Sequence, residues 1–275
     1  MKSASSLVGC IILILMMVLA GAGIVDAEPI VIEGLIEPYM TVNIGSSVPG
    51  ILESVKVDRG DMVKKGQVLA TLESGVERAN MRLARARAEM EENIRAGEAR
   101  LEFSTRKQVR FEELYRKKVI PFKDMDEART ESELALIELE EARENKRIAE
   151  LDFKRSAAMV NRMVIYSSIT GVVMERFLAP GERVEDEPIL KLAQIHPLHV
   201  EVYAPVELIG AIDVGMNAEV TPDNPVGQKV YKAKVTIVDR VIDAASGTFG
   251  VRLELPNPEY RLPAGLKCKV AFHKK

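Results

Sequence analysis

One frame of strand, turn and strand occurs twice in this chain, and no other feature constrains its fold as tightly. Residues 50–72 carry it first, and residues 171–192 return it at a constant offset of 121 positions. Gly50 matches Gly171, Ile51 matches Val172, Val57 matches Leu178, Gly60 matches Gly181, Val63 matches Val184 and Leu69 matches Leu190. Ala179-Pro180-Gly181-Glu182 fits a type II turn, in which Pro fixes φ at the second position and Gly accepts a positive φ at the third. Asp58-Arg59-Gly60-Asp61 repeats that turn without the Pro. Gly50, Gly60, Gly171 and Gly181 are therefore expected to be structural turn glycines. The runs around them are β-branched and partly alternating, so each copy reads as a short hairpin. A chance match is disfavoured because the frame holds without a gap. Neither copy can cover both of its own faces, but packed together they make a small two-layer β-sandwich. Such a sandwich must carry everything between its halves as an insert.

From about Val76 the apolar period changes from two to seven. Leu83, Ala86, Met90, Ile94, Gly97 and Leu101 form a first stripe that continues to Phe111 and Tyr115. A second stripe runs Met125, Ala128, Ser132, Ala135, Leu139, Ala142, Lys146, Ala149 and Phe153, with Glu, Arg and Lys between. Alternating steps of three and four mark a coiled-coil seam, and its small residues let two helices approach closely. Pro121 breaks the run, and Asp124 with Glu127 three residues on offers a capping box for the second helix. The insert, residues 75–164, therefore reads as an antiparallel helical hairpin. Each arm has about forty residues, on the order of 60 Å at the helical rise. A solvated coiled coil explains most of this surface but not the tip. Val119, Ile120, Pro121 and Phe122 place four apolar side chains at the far end of a rod, beyond reach of any core of the same chain. Exposed apolar groups there mark a partner surface.

The rest of the chain is β. Ile30–Ile36 and Met40–Ile44 read as two strands around Glu37-Pro38. After residue 196, His199–Tyr203, Ala218–Thr221, Lys232–Val238, Phe249–Leu255 and Lys267–Phe272 alternate, punctuated by Asp223-Asn224-Pro225 and Pro256-Asn257-Pro258. Strands this short and evenly spaced indicate a small closed barrel, to which the first strands contribute. The expected division is a leader or anchor over 1–27, a β-barrel from 28–45 and 196–275, the sandwich from 46–74 and 165–195, and the hairpin between. Overall the chain reads as mainly β with an inserted α-helical coiled-coil hairpin.

Lys2 precedes an uncharged apolar run, Leu7–Val25, followed by Val25-Asp26-Ala27 with small residues at −3 and −1. Cleavage after Ala27 is the first reading, and an uncleaved anchor the second, because the run reaches the length of a spanning helix. Either way the chain is exported. Leu7-Val8-Gly9-Cys10 imitates a lipoprotein box, but the apolar run follows it instead of preceding it, so lipidation at Cys10 is rejected. Cys10 and Cys268 are the only cysteines, too few to report the compartment.

A net charge of −3 argues against nucleic acid as a partner. No G-x-S-x-G or phosphate-loop pattern is present, and no Cys/His set has ligand spacing, so no catalytic, cofactor or metal residues are assigned and the chain is read as a non-enzyme. His196 and His199 lie close together with His273 far off, which reads as strand-edge polarity more readily than as a metal site. A lipoyl- or biotinyl-type carrier would need a Lys where the sandwich halves meet the insert. Glu73-Ser74-Gly75 and Met163–Tyr166 stand there instead. A purely structural coiled-coil envelope protein would explain the hairpin and leave the split sandwich without a reason.

A split sandwich, an inserted helical hairpin and a following barrel in an exported chain together resemble the periplasmic adaptor (membrane fusion protein, hemolysin-D-like) family, with the resistance-nodulation-division type of efflux pump indicated. The repeat looks like that family's lipoyl domain. Gly247–Pro258 with Leu262-Pro263-Ala264-Gly265-Leu266 resembles its barrel motif of a T-x-x-V-R strand, a P-N-P turn and an L-x-P-G-M-like segment. The resemblance implies an adaptor joining an inner-membrane transporter, proton- or ATP-driven, to an outer-membrane channel. It implies a periplasmic protein held at the inner membrane and self-associated in a ring, commonly a hexamer. Many such adaptors carry at the hairpin tip an Arg, a Leu four residues later and a Ser seven after that. Arg110 and Leu114 match, and Pro121 stands in place of the Ser. Channel contact is thus assigned to Arg110, Leu114, Val119, Ile120, Pro121 and Phe122, without the family's hydroxyl. Many adaptors also continue past the barrel into a membrane-proximal domain. Here the chain ends at Lys275, so that domain is expected to be absent.

Overall fold

A computed structural model describes residues 30–223 and 229–273. The expectations for the leader, Cys10, Asn224-Pro225 and the final lysines lie outside the described residues. The chain divides into two compact units, one formed by Thr41–Ala193 and the other by residues up to Met40 with Gln194–Lys275.

The first unit contains both copies of the repeat, and they close on one another. Strands β2 (Gly50–Val55), β3 (Met62–Val63) and β4 (Val68–Leu72) come from the first copy. Strands β6 (Gly171–Arg176), β7 (Arg183–Val184) and the start of β8 (Leu190–Pro205) come from the second, with β5 (Val164–Tyr166) just before it. Each copy lends its two-residue strand to the other. Gly50 pairs with Val184 and Ile51 with Arg183 across β2 and β7, while Val63 pairs with Gly171 and Met62 with Val172 across β3 and β6. These two ladders interconvert under the 121-residue offset, so the sandwich has an internal pseudo-two-fold relation. The turns obey it too. Gly60 N–H donates to Val173 O at 2.9 Å, and Gly181 N–H donates to Leu52 O at 2.7 Å. Gly60 and Gly181 have φ of 94° and 91°, the left-handed region their turns demand. Gly50 and Gly171 instead open strands β2 and β6 and have no positive φ. At Gly50 the reason is space, since a Cβ there would lie 3.2 Å from Leu72 Cδ1.

The sandwich core draws on both copies at matched positions. Leu52, Val63 and Leu69 are buried together with Val173, Val184 and Leu190. Each such side chain contributes about 1.5–3 kcal/mol when fully buried, and none could be buried by one copy alone.

The insert is a helical hairpin, but its first arm is broken. It consists of α1 (Gly75–Ala88) and α2 (Glu92–Arg116), and the second arm is the continuous α3 (Phe122–Arg162). The seam of α3 follows the expected stripe, with Ala128, Ser132, Ala135 and Leu139 buried. On the first arm the stripe holds from Ile94 to Phe111, fails before Ile94, and leaves Tyr115 at its far end exposed. Leu83 and Met90 are exposed, and the residues that face inward are Ala84 and Ala88. An unbroken α-helix drifts about 20° per heptad from a seven-residue pattern, and the interruption at Glu89–Glu91 resets the register. Glu91 is held at this joint by Lys146 of α3 at 2.8 Å and Arg95 at 3.2 Å, which lowers its carboxyl pKa. Gly97 sits at a close approach of the arms, since a Cβ on it would lie 3.3 Å from the Leu139 Cα. A second correction concerns the start of α3. It begins at Phe122 behind an extended Pro121, and Asp124 lies in its first turn without forming the expected side-chain cap. Pro is tolerated at that edge because the first N–H groups of a helix have no internal acceptor.

In the second unit, β1 (Ile30–Ile44), β9 (Asn217–Pro222), β10 (Tyr231–Val238), β11 (Thr248–Leu255), β12 (Lys267–Phe272) and β8 are ordered β1-β12-β9-β10-β11-β8, and β8 pairs back to β1. The sheet is therefore a closed six-stranded barrel. Alternate residues Leu198, Val200 and Val202 of β8 face its core, together with Val251 and Leu253 of the neighbouring β11 and Phe272 of β12. The first two expected strands are one. Pro38 lies inside β1, past the last residue paired with β12 at Leu35. Asn257, expected only as part of a turn, is buried and acts as a clip. Its amide donates to Ile195 O at 3.0 Å and Leu262 O at 2.9 Å, and its carbonyl oxygen accepts from Leu262 N–H at 3.1 Å.

Candidate functional site at the hairpin tip

The tip is built by the way α2 stops. Lys118 N–H donates to Tyr115 O at 2.8 Å, and Val119 N–H donates to Leu114 O at 2.9 Å. These are the two hydrogen bonds of a Schellman motif, with Lys118 at φ 58° in the position usually given to Gly. That motif sets Val119 beside Leu114 at the rod's end and sends the chain straight into Pro121 and α3. Lys118 gave no sequence signal, because a left-handed C-cap is normally announced by Gly or Asn.

Of the six assigned residues, Leu114, Val119, Ile120, Pro121 and Phe122 lie at the end of the rod, with different exposures, and Arg110 lies further back on α2. Val119 is 65% exposed and Phe122 58%, while Leu114 and Ile120 are half-buried. Pro121 is exposed, and so is Arg110, one helical turn before Leu114. Tyr115 joins them: its ring meets the Phe122 ring edge-on, centroids 5.9 Å apart. The end of the rod is thus an apolar cap of Val119, Pro121, Phe122 and Tyr115, fringed by exposed Arg116, Lys117 and Lys118. Cations at the C-terminus of α2 complement its negative dipole end. Such a surface can bind an apolar groove with acidic edges.

The arms behind the tip are tied by ion pairs between α2 and α3. Lys107–Glu131 at 2.6 Å, Arg100–Glu138 at 2.7 Å and Arg143–Glu98 at 3.2 Å join them. Each is at least partly solvated and worth a fraction of a kcal/mol, so they fix register more than they stabilise.

At the base, β4 leads into α1 and α3 into β5, with Leu72 N–H donating to Met163 O at 2.8 Å. Ser74 is buried at that junction. The three histidines occupy separate places in the barrel unit. His196 Nδ1 accepts from Asn257 N–H, His199 stacks on Tyr39 with centroids 4.5 Å apart, and His273 lies 3.6 Å from a Glu219 oxygen. Among the described residues, no helix is long and apolar enough to cross a membrane.

Residues 40–194 match a family model described as a CzcB-like barrel-sandwich hybrid domain. The chain belongs to the periplasmic adaptor, or membrane fusion protein, family. Residues 197–275 of this adaptor match a second model, the CusB-like beta-barrel domain. Its curated relatives include the cobalt-zinc-cadmium resistance protein CzcB of Cupriavidus metallidurans, 24% identical over 82% of this chain and 41% of the relative. An uncharacterized protein of Haemophilus influenzae is 25% identical over 85% of this chain and 54% of its own length. The chain therefore spans about half the length of the curated relatives it matches or less. Among solved structures, MacA from Actinobacillus actinomycetemcomitans shares the fold with a TM-score of 0.73 at 22% identity, covering 89% of this chain and 78% of MacA. The membrane fusion protein Spr0693 from Streptococcus pneumoniae R6 shares it at 0.59 and 14% identity, covering 90% of this chain and 99% of its own. The adaptor fold, mainly β with a long helical hairpin, a sandwich and a barrel, is thereby established.

Proposed function

We propose that this adaptor is the periplasmic subunit of a tripartite efflux system, and that its hairpin tip docks on an outer-membrane channel. The observation that carries the reading is the apolar cap at the end of an arm on the order of 60 Å long, by the rise of a helix the length of α3. Val119 and Phe122 stay more than half exposed at that end, and a channel is a partner that such an arm can reach. Arg110, Leu114, Val119, Ile120, Pro121 and Phe122 are the contact residues, with Tyr115 added from the geometry. The barrel serves an inner-membrane transporter, and the protein works in the periplasm at the inner membrane as a ring, six subunits being the family's common number. Gly60 and Gly181 hold the sandwich that carries the arm, and the relatives' names make cobalt, zinc and cadmium the first cargoes to test.

Full burial of a Val or Phe side chain is worth about 1.5–3 kcal/mol, and over half of each remains to be buried, so Val119 and Phe122 together supply roughly 2–4 kcal/mol of docking. In cells, a Val119→Asp, Phe122→Asp double variant, or deletion of Lys118–Phe122, is expected to abolish resistance and to lose a channel protein recovered by crosslinking. Circular dichroism and thermal stability stay close to those of the parent. If the channel is still recovered with either variant, docking does not run through the tip.

A further inference from the structure

One end of the barrel carries apolar side chains that no described residue covers. The segment between β8 and β9 is rooted by buried Ile212 yet presents Ile209 and Val214 to solvent. The loop from β10 to β11 presents Val241, 81% exposed, and Ile242 beside it. Ile209, Val214 and Ile242 line one shared cleft whose floor includes Phe249. Both segments are firmly held. Val206 N–H donates to Gly247 O at 3.0 Å, Gly215 N–H to Val235 O at 2.8 Å and Asp243 N–H to Thr248 O at 2.9 Å. Rigid loops that aim Val and Ile outward keep an exposed apolar surface that folding alone would select against.

The chain enters the barrel at this same end. Ile30 pairs with Phe272, Phe272 with Ala218, and the neighbouring Asn217, the first residue of β9 after the β8–β9 segment, with Lys234 in the middle of β10, which runs on to Val238 and the β10–β11 loop. Upstream of Ile30 the sequence holds the uncharged run Leu7–Val25, long enough for a bilayer. From Val25 to Ile30 the backbone can extend at most about 18 Å. On the reading that keeps this run as an uncleaved anchor, its seat in a membrane brings this end of the barrel, and not the opposite end at Tyr260, to the bilayer surface.

We propose that the barrel end bearing Ile209, Val214, Val241 and Ile242 inserts into the lipid interface, as a second hold on the membrane beside the N-terminal run. The charges around it are mixed, Arg240 among Asp213, Asp239 and Asp243, so the hold is apolar and needs no anionic lipid. Interfacial insertion of this kind reaches about 5–10 Å into the headgroup and acyl boundary. The proposal asks nothing of the hairpin tip, so it stands or falls separately from channel docking.

The test uses the full chain with Cys10→Ser, reconstituted in phosphatidylcholine vesicles, with an environment-sensitive fluorophore on Val241→Cys, Val214→Cys or Tyr260→Cys. Native Cys268 does not compete for label, being buried with its thiol pushed up to about 11. Spin-labelled lipid is expected to quench the probes at 241 and 214 at least threefold more than the probe at 260. Adding Val241→Asp and Ile242→Asp should reduce quenching at 214 at least threefold. Equal quenching at all three sites overturns the proposal. So does a probe at 241 that is shielded from aqueous iodide yet untouched by lipid, because the occupant would then be protein, either the transporter or a second copy of this chain.

Discussion

Replacing Gly60 or Gly181 with Ala isolates the backbone requirement of the paired turns. A Cβ built on either glycine meets no atom within 4 Å, so crowding contributes nothing to the effect. What remains is φ of 94° and 91°, where an L-residue pays roughly 1–2 kcal/mol. Ala also restricts the unfolded chain, which offsets about 0.4–1 kcal/mol of that. Each variant is therefore expected to lose about 1 kcal/mol. The internal symmetry makes a stronger statement: the two losses should be nearly equal, because each turn amide donates one hydrogen bond into the opposite copy. The turns share no partner, so the double variant should lose about 2 kcal/mol. Urea unfolding followed by far-UV circular dichroism reads this directly. With a slope of about 2 kcal/mol/M, each single variant moves the midpoint down by roughly 0.5 M and the double by roughly 1 M. A neutral Gly60→Ala beside a destabilising Gly181→Ala would refute the reasoning, since it would mean that the two turns are not structural equivalents.

Other perturbations probe the elements the paired turns support. Gly97→Val puts branched carbon against Leu139, whose Cα lies only 3.3 Å from where a Cβ on Gly97 would stand, and should destabilise the hairpin by about 1–3 kcal/mol in thermal unfolding. An unchanged melting curve would show that the arms are not in contact there. Asn257→Ala leaves Ile195 O, Leu262 O and Leu262 N–H without partners, and an unfolding loss of about 3 kcal/mol is expected. A loss below about 0.5 kcal/mol would mean that the clip is dispensable. Burial, with Arg252 next, depresses the His199 pKa below its ordinary value near 6.5, so the unfolded chain takes up a proton that the folded barrel resists. That stability is present above about pH 6.5 and is lost as pH falls toward the folded pKa. His199→Gln should flatten the barrel's melting temperature between about pH 7.5 and 5.5, and an identical slope in the variant would assign the pH dependence elsewhere.

The positions that the sequence revealed are those where a local period equals a structural one. The stripe from Ala128 to Leu139 alternates as the helix turns, and the barrel strands after residue 196 alternate as the sheet pleats, so both could be read directly. The break at Glu89–Glu91 could not. Leu83 and Met90 fit a heptad drawn on paper, but the helix is interrupted between Ala88 and Glu92, so the turns before the break pack in a different phase, with Ala84 and Ala88 inward. Lys118 was silent because its left-handed conformation is imposed by the two hydrogen bonds around it and not by its own preference. The sequence shows Asn257 only as a turn residue, because the carbonyls it clips come from Ile195 and Leu262 and carry no local mark. The tip's apolar cluster was legible as an anomaly in a charged arm, but Tyr115 entered it only through its ring contact with Phe122.

The two shortest strands show why a sandwich can be split this widely at all. Strands β3 and β7 have two residues each, far below what propensity alone could hold as sheet. Each exists because it completes an edge of the other copy, β3 on β6 and β7 on β2, while Val63 and Val184 are buried beneath. Neither copy has a finished edge or a closed core by itself, so the ends of the hairpin are fastened to a body that exists only when both are present. Lengthening or shortening the arms beyond their first and last turns leaves that fastening unchanged, because the β2–β7 and β3–β6 ladders lie outside the insert and only its end residues, such as Arg162 donating to Ser47 O at 2.7 Å, join them. The sandwich thus separates the requirement for stability, met by matched glycines and matched core residues, from the requirement for reach, met by the helices it carries.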